Sequence, residues 1–218
     1  MKLSKETIAI FKNYASINRN ILLKEGNILA TRSEPPTIAS EVTVPETFPI
    51  DFGIYDLHEF LGALYLFDDP ELEFNDKFVS IKENGNTIKF YASDPNVLAT
   101  PKKSITFPDV DIQFELSTAQ LSTIQRTASV LGADDLSFIG KDGTLTLQVS
   151  DKKNATGNLY ETVVGNTDLN FRVNLKINNL KLMQGDYTVS ISNKKISRFT
   201  SKNENLIYYV AVESDSVF

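Results

Sequence analysis

The sequence predicts an α+β protein of two tandem domains, each assembled from two strand–helix–strand–strand–strand units. Four stretches of roughly 50 to 60 residues share that order, a repeat of pattern rather than of residues. Phe52, Phe114 and Phe171 hold similar places, just before a helix, in the second, third and fourth units. Between the second and third units, residues 94–109 carry Pro95, Pro101 and Pro108, which exclude regular helix and disfavour central strand pairing. The expected domains are therefore 1–93 and 110–218, joined by a linker over 94–109 that also holds Lys102 and Lys103.

In the first unit, Lys2-Leu3 reads as a short strand and Ser4 as the N-cap of a helix over 5–17, with Glu6 well placed in the first turn. Lys5, Ala9, Lys12, Ser16 and Arg19 fall on one face of that helix; Ile8, Phe11 and Ala15, with Tyr14 beside them, fall on the other. Strands are expected near 21–24, 28–32 and 38–44, with Ser33-Glu34-Pro35-Pro36 as an exposed connection. The second unit opens with a strand over 50–55 and a helix capped by Asp56, with Glu59 completing a capping box. Leu57, Phe60, Leu61 and Leu64 are its core face, and the exposed side near His58, Gly62 and Tyr65 is neutral. Strands near 71–74, 78–82 and 87–91 follow, with Asn84-Gly85 as a primed hairpin turn.

The third unit has a strand over 111–116, then a helix over 118–131 with Leu121, Ile124, Ala128 and Leu131 inward. Strands at 136–139, 145–149 and 159–164 follow, the first two joined at Lys141-Asp142-Gly143. The fourth is read as a strand over 169–173, a two-turn helix over 175–182, and strands over 187–192, 196–200 and 206–212.

Charge is unevenly placed. Residues 1–24 hold five cations against Glu6, a local charge of +4 in a chain of net −6, which leaves −10 for residues 25–218. Residues 117–133 have no acid and one cation, Arg126; residues 169–185 have no acid and carry Arg172, Lys176 and Lys181. The second helix departs from this, since residues 56–76 hold seven carboxylates and no Lys or Arg. A basic stripe alone is either a solvated face or a surface for a polyanion. Several helical regions kept free of acid, in a chain with 28 acids, favour the polyanion.

Catalytic sets are not apparent. The only histidine, His58, has no nucleophile motif nearby, and no GxxxxGK[ST] string occurs. Asp68, Asp69, Glu71, Glu73 and Asp76 lack the calcium-loop spacing and its central glycine, so a solvated acidic turn is expected. With no Cys, thiolate metal sites and disulfides are excluded. No metal, no cofactor and no enzymatic activity are expected. The opening lacks a signal peptide's apolar stretch and no run approaches a membrane span, so a soluble intracellular protein is expected, with no membrane partner.

Three sets of strings carry a family resemblance. Met1-Lys2-Leu3-Ser4-Lys5, followed by Lys12-Asn13-Tyr14-Ala15-Ser16-Ile17-Asn18, resembles the opening of the sliding clamps of large tailed bacteriophages. Ile54-Tyr55-Asp56-Leu57 continuing to Phe60-Leu61-Gly62 is similar too, as is the ending Tyr209-Val210-Ala211-Val212-Glu213-Ser214-Asp215-Ser216. The resemblance implies two tandem DNA-clamp (processivity-fold) domains and a homotrimeric ring of six similar domains, with helices inside and sheets outside. It implies sequence-independent binding of double-stranded DNA, tethering of the replicative DNA polymerase, an ATP-dependent clamp loader, and action in the cytoplasm of an infected bacterial host.

The expected DNA-facing residues are Lys2, Lys5, Lys12, Arg19, Arg126, Lys176 and Lys181. The expected subunit interface pairs the strand around Ile88 and Phe90 with the one near Leu159, Tyr160 and Val163, since both are candidate sheet edges. Leu98, Ile105 and Phe107 with Val210 and Val212 form the expected partner-peptide pocket, or else pin the linker to its domain. The competing reading is a non-enzymatic β-rich interaction module of a phage regulatory or structural complex that does not encircle DNA. Native mass separates the two.

Overall fold

The computed structural model describes every residue except Lys102 and Ala155, so the expected linker lysine at 102 lies outside the described residues. The chain forms two units, Met1–Ser104 and Ile105–Phe218.

In the first unit, α1 (Lys5–Ile17) starts at Ser4, whose side chain accepts the Thr7 backbone N–H at 3.1 Å. Glu46 also reaches this helix end, accepting from the Ser4 N–H and the Thr7 hydroxyl. Burial alone would raise the Glu46 carboxyl, but these hydrogen bonds outweigh it and hold it below the usual carboxylate range. The helix buries Thr7, Ile10, Phe11, Tyr14, Ala15 and Ile17. The inward face is therefore centred on Ile10, Phe11 and Tyr14, and Ile8 is only half-buried. Leu3 is not in a strand, yet Met1 and Leu72 exchange backbone hydrogen bonds in that region.

Next come β1 (Ile21–Leu23), β2 (Gly26–Arg32), β3 (Ile38–Phe48), β4 (Phe52–Ile54), α2 (Leu57–Leu64), β5 (Glu71–Phe74), β6 (Phe78–Glu83) and β7 (Asn86–Tyr91). All pairings are antiparallel: β1 with β4, β2 with β3, and β5-β6-β7 in order. Edge-to-face ring contacts run through this core. Phe11 meets Phe60 at 6.1 Å, Phe60 meets Phe90 at 5.2 Å, and Phe52 meets Phe74 at 5.3 Å. The turn at Asn84 (φ 48°) and Gly85 (φ 81°) has both central residues left-handed, as a primed hairpin requires.

Residues 93–100 are fastened to this unit. The Ser93 N–H donates to the Gly53 carbonyl, and the Asn18 side chain donates to the Ala99 carbonyl at 2.8 Å. A Cβ on Gly53 would collide with the Ser93 carbonyl and press on Leu98, which is why β4 has glycine there.

The second unit contains β8 (Ile112–Leu116), α3 (Thr118–Leu131), β9 (Asp135–Lys141), β10 (Thr144–Ser150), β11 (Tyr160–Asn166), β12 (Phe171–Lys176), β13 (Tyr187–Ser192), β14 (Ile196–Ser201) and β15 (Leu206–Ala211). One antiparallel sheet runs β11-β10-β9-β12, and β8, β13, β14 and β15 pair in that order. Ser117 and Gln120 form a reciprocal capping box on α3, and Gly132 ends it at φ 61°. Leu121, Ile124 and Ala128 are buried, facing a core that includes Leu136, Phe138, Leu147 and Val173.

The fourth helix expected over 175–182 does not form. β12 runs to Lys176, and only a 3-10 turn at Ile177–Asn179 follows. Phe171, Val173 and Leu175 alternate inward as a strand, and Asn178-Asn179 are weak helix formers. No helix among the described residues is long and apolar enough to cross a membrane.

Candidate nucleic-acid interface and partner surfaces

The exposed face of α1 carries Lys5, Lys12 and Ser16; Arg19, expected on that face, lies past the helix end, because Asn18 caps α1 in an extended conformation. Lys5, Lys12, Ser16 and Arg19 are all exposed, and Ala9 is half-buried between them. The cations differ in what surrounds them. Lys5 forms no ion pair among the described residues. The Lys12 ammonium stands 4.8 Å from the centre of the Tyr65 ring. Lys2 is paired with Asp69, which raises its ammonium pKa. Arg19 holds Asp56 through Nη2 at 2.6 Å and Nε at 2.9 Å, and its guanidinium is 5.9 Å from the Tyr55 ring.

Asp56 is the N-cap of α2, accepting from the His58 and Glu59 backbone N–H groups. Burial would raise its carboxyl; the Arg19 hydrogen bond and those N–H groups outweigh burial and lower it. The tyrosines at 55 and 65 bracket α2 and are more than half exposed. Their positions either side of an eight-residue helix were visible in sequence, but their pairing with Arg19 and Lys12 was not.

On α3, Arg126 is exposed and forms no ion pair among the described residues. Lys176 and Lys181 are not on a helix. Lys181 is exposed after the 3-10 turn. Lys176 ends β12 and donates to Asp135, whose side chain is only 1% exposed and also lies 3.6 Å from the Lys152 ammonium. Burial would push the Asp135 carboxyl up, but the Lys176 hydrogen bond, the Lys152 N–H and both charges hold it below the ordinary range. Lys176 is thus engaged in balancing a buried carboxylate. The structure separates it from the exposed cations Lys5, Lys12 and Arg126.

Ile88 and Phe90 lie on β7, the terminal strand of its three-stranded sheet; Tyr160 and Val163 lie on β11, the terminal strand of its four-stranded sheet. Leu159 precedes β11 and is 55% exposed, and Val163 is 64% exposed. Phe90 turns inward onto Phe60. Beside β11, a groove of about 140 Å³ is lined by Ala119, Thr123, Tyr160 and Thr162.

The expected pocket is only partly assembled. Leu98 is buried within the first unit. In the second unit Ile105 is exposed and Phe107 half-buried, but Val210 and Val212 are core residues with 0% and 6% exposure. Period-two alternation along β15 puts Leu206, Tyr208 and Val210 inside and Ile207, Tyr209 and Ala211 on the outer side. The ring beside Phe107 is accordingly Tyr209, at 6.4 Å, and the Arg198 guanidinium lies 4.5 Å from the Phe107 ring centre.

Comparison with known proteins places this geometry in a family. Residues 4–100 match the family model of the DNA polymerase processivity factor, and residues 113–214 that of the gp45 sliding clamp C-terminal domain. The sliding clamp of Vibrio phage KVP40 is 33% identical over 223 residues, covering 98% of this chain and 100% of that protein. The sliding clamp of Escherichia phage RB69 is 32% identical, covering 99% and 98%. Among solved structures, PCNA of A. fulgidus bound to the C-terminal region of FEN-1 superposes with a TM-score of 0.71 at 12% identity, covering 96% of both chains. PCNA of Thermococcus kodakaraensis gives 0.69 at 14% identity, again covering 96% of both chains. These two share the fold; the phage relatives share the sequence along its full length. The chain belongs to the sliding-clamp family of DNA polymerase processivity factors.

Proposed function

We propose that three copies of this chain close head to tail into a ring around duplex DNA and tether the replicative polymerase at the primer end. The observation that carries the reading is the exposed face of α1, where Lys5 and Lys12 line up without an interleaved carboxylate on the same helix face, with Arg19 just past the helix end. Contacts from such side chains to phosphates are sequence-independent, so they permit sliding, and encirclement rather than affinity provides retention. Lys2, Arg126 and Lys181 complete the proposed DNA-facing set, with Lys5, Lys12 and Arg126 as its principal contacts; Lys176, committed to Asp135, is left out of it.

Ring closure uses β7 and β11. A terminal strand leaves backbone donors and acceptors unpaired, and pairing β7 of one chain with β11 of the next satisfies both. Residues 1–93 and 110–218 are the two clamp domains of each chain and 94–109 the linker. A polymerase segment docks beside Ile105, Phe107 and Tyr209; held there, the polymerase has a raised effective concentration at its substrate. Opening and loading fall to a separate ATP-dependent loader, and the ring acts in the cytoplasm of the infected bacterium without chemistry of its own.

The test combines mass and synthesis. Native mass should be roughly three times 24.3 kDa, with crosslinking to hold a dissociating ring. Primer extension on circular DNA, with polymerase and loader, should become processive when the protein is added. A monomer that leaves product length unchanged overturns the reading.

A further inference from the structure

Arg198 is an anomaly on the outer side of the second unit. It lies mid-strand on β14, half-buried, opposite Ser190 on β13 and Tyr209 on β15. Its guanidinium is stacked on Phe107, and Nη2 reaches the Ser190 hydroxyl only at 3.4 Å. Its Nε is buried and has no hydrogen-bond acceptor among the described residues. Among the described residues it forms no ion pair: β13 and β15 on either side of it carry no carboxylate, and the nearest acidic strand of the second unit, β8, is two strands away. Glu115 is held by Lys202 at 2.7 Å and Thr188, and Asp111 by Asn193. A half-buried guanidinium with an unmade bond is costly in an isolated protein, because a buried donor keeps its full desolvation penalty. Arg also presents the planar fork that fits a carboxylate with two parallel hydrogen bonds.

We propose that Arg198 is the carboxylate receptor of the partner surface beside Phe107. The occupant is an extended peptide segment of the polymerase. One large apolar side chain rests against Phe107 and Tyr209, and an Asp or Glu two residues along reaches the guanidinium. Alternate residues of an extended chain share a face, which fixes that spacing. The Phe107 ring, which covers the guanidinium in the free protein, turns aside and opens the Nε–Nη2 edge to the carboxylate. The site rests on the tethering reading given above and adds the chemistry that the tether must carry.

The test uses the full-length protein and the twelve-residue segment of the cognate polymerase that binds it most tightly among peptides tiling that polymerase, made in three forms. One has an amidated C-terminus with its Asp and Glu intact. The second is also amidated, with every Asp and Glu replaced by Asn and Gln. The third has the neutral side chains and a free α-carboxylate. Because the chain has no Trp, Phe107→Trp gives a single reporter of ring movement.

The acidic peptide should bind about thirty-fold more tightly than its neutral form, and Arg198→Gln should remove that difference, since charge pairs with a desolvated Arg carry large coupling. Arg198→Lys, which keeps the charge but not the fork, should recover only part of it. The indole emission of the Phe107→Trp variant should shift with the acidic peptide alone. Equal weakening of both side-chain forms by Arg198→Gln, or tighter binding of the free α-carboxylate form than of the acidic one, overturns the proposal. Absence of binding by every tiling peptide, while the protein still makes synthesis processive, overturns the receptor and leaves tethering intact; loss of processivity as well sinks both.

Discussion

Arg19 and Asp56 are joined through a single carboxylate oxygen. Both Nε and Nη2 of Arg19 donate to Oδ2, while Oδ1 accepts the two backbone N–H groups that start α2. One side chain thus caps a helix and also holds the end of the basic stripe. The consequence for function is that Arg19 reaches the proposed DNA surface with its charge already matched, whereas Lys5 does not.

Asp56→Asn separates the two roles. Asn is as good an N-cap as Asp, so the thermal midpoint should change little, while Arg19 loses its ionic partner. Clamp–DNA binding should tighten, and the slope of log K against log salt should steepen by up to about one for each freed contact. Asp56→Ala removes the cap as well and should cost about 1 kcal/mol in urea unfolding. A flat salt response in Asp56→Asn means that Arg19 does not face phosphate.

Much of this arrangement could be read in the sequence. The bounds of α1 follow from Ser4 and the spacing of its apolar residues, and the turn at Asn84-Gly85 follows from residue type alone. The failures came from contacts between residues far apart in the chain. Lys176 looked like a helix-surface cation because Asp135, its partner across the β9–β12 pairing, is 41 residues earlier. Val210 and Val212 looked like pocket residues because alternation gives two faces but does not say which one is buried. The Arg198–Phe107 stack had no signal, since cation–aromatic pairs between an irregular segment and a strand leave no periodicity.

The Asp135 carboxylate gives a pH prediction. Its folded pKa lies below the unfolded value of about 3.9, so its contribution is fully present above that pH and is lost as the pH falls through the folded value. Asp135→Asn should therefore cost about 2 kcal/mol at pH 7, leaving the Lys176 and Lys152 ammonium groups unmatched. The gap between variant and parent should close as the pH is lowered from about 4 toward 2. Urea midpoints measured across that window check it; a gap independent of pH assigns the loss to packing instead.

Val163→Lys tests ring closure. Val163 is 64% exposed on β11, so the change adds no burial cost within one chain, but places a charge on the strand proposed to pair with β7. Charged edge residues block strand addition. Native mass at low micromolar protein should fall from roughly three times 24.3 kDa toward the monomer, with circular dichroism unchanged. A persisting trimer moves the interface elsewhere.

The last prediction concerns the exposed cations. Changing Lys5, Lys12 and Arg126 to Ala removes three positive charges per chain and leaves Ile10, Phe11 and Tyr14 of α1 and Leu121, Ile124 and Ala128 of α3 untouched. None of the three forms an ion pair among the described residues, so folding and ring mass should persist; exposed charges contribute little to stability. Binding to DNA should weaken equally on unrelated sequences, because phosphate contacts carry no base information. Each lost contact should reduce the salt slope by about one, so the deficit in loading and product length should be plainest at low salt, where the electrostatic contribution is greatest, and narrow as salt rises. Two controls locate the effect. Lys176→Ala should destabilise the fold through Asp135 more than it weakens DNA binding, and a base-dependent deficit in the triple variant would point to readout rather than sliding. A triple variant that matches the parent throughout the salt titration makes the stripe a solvated face and places the DNA elsewhere.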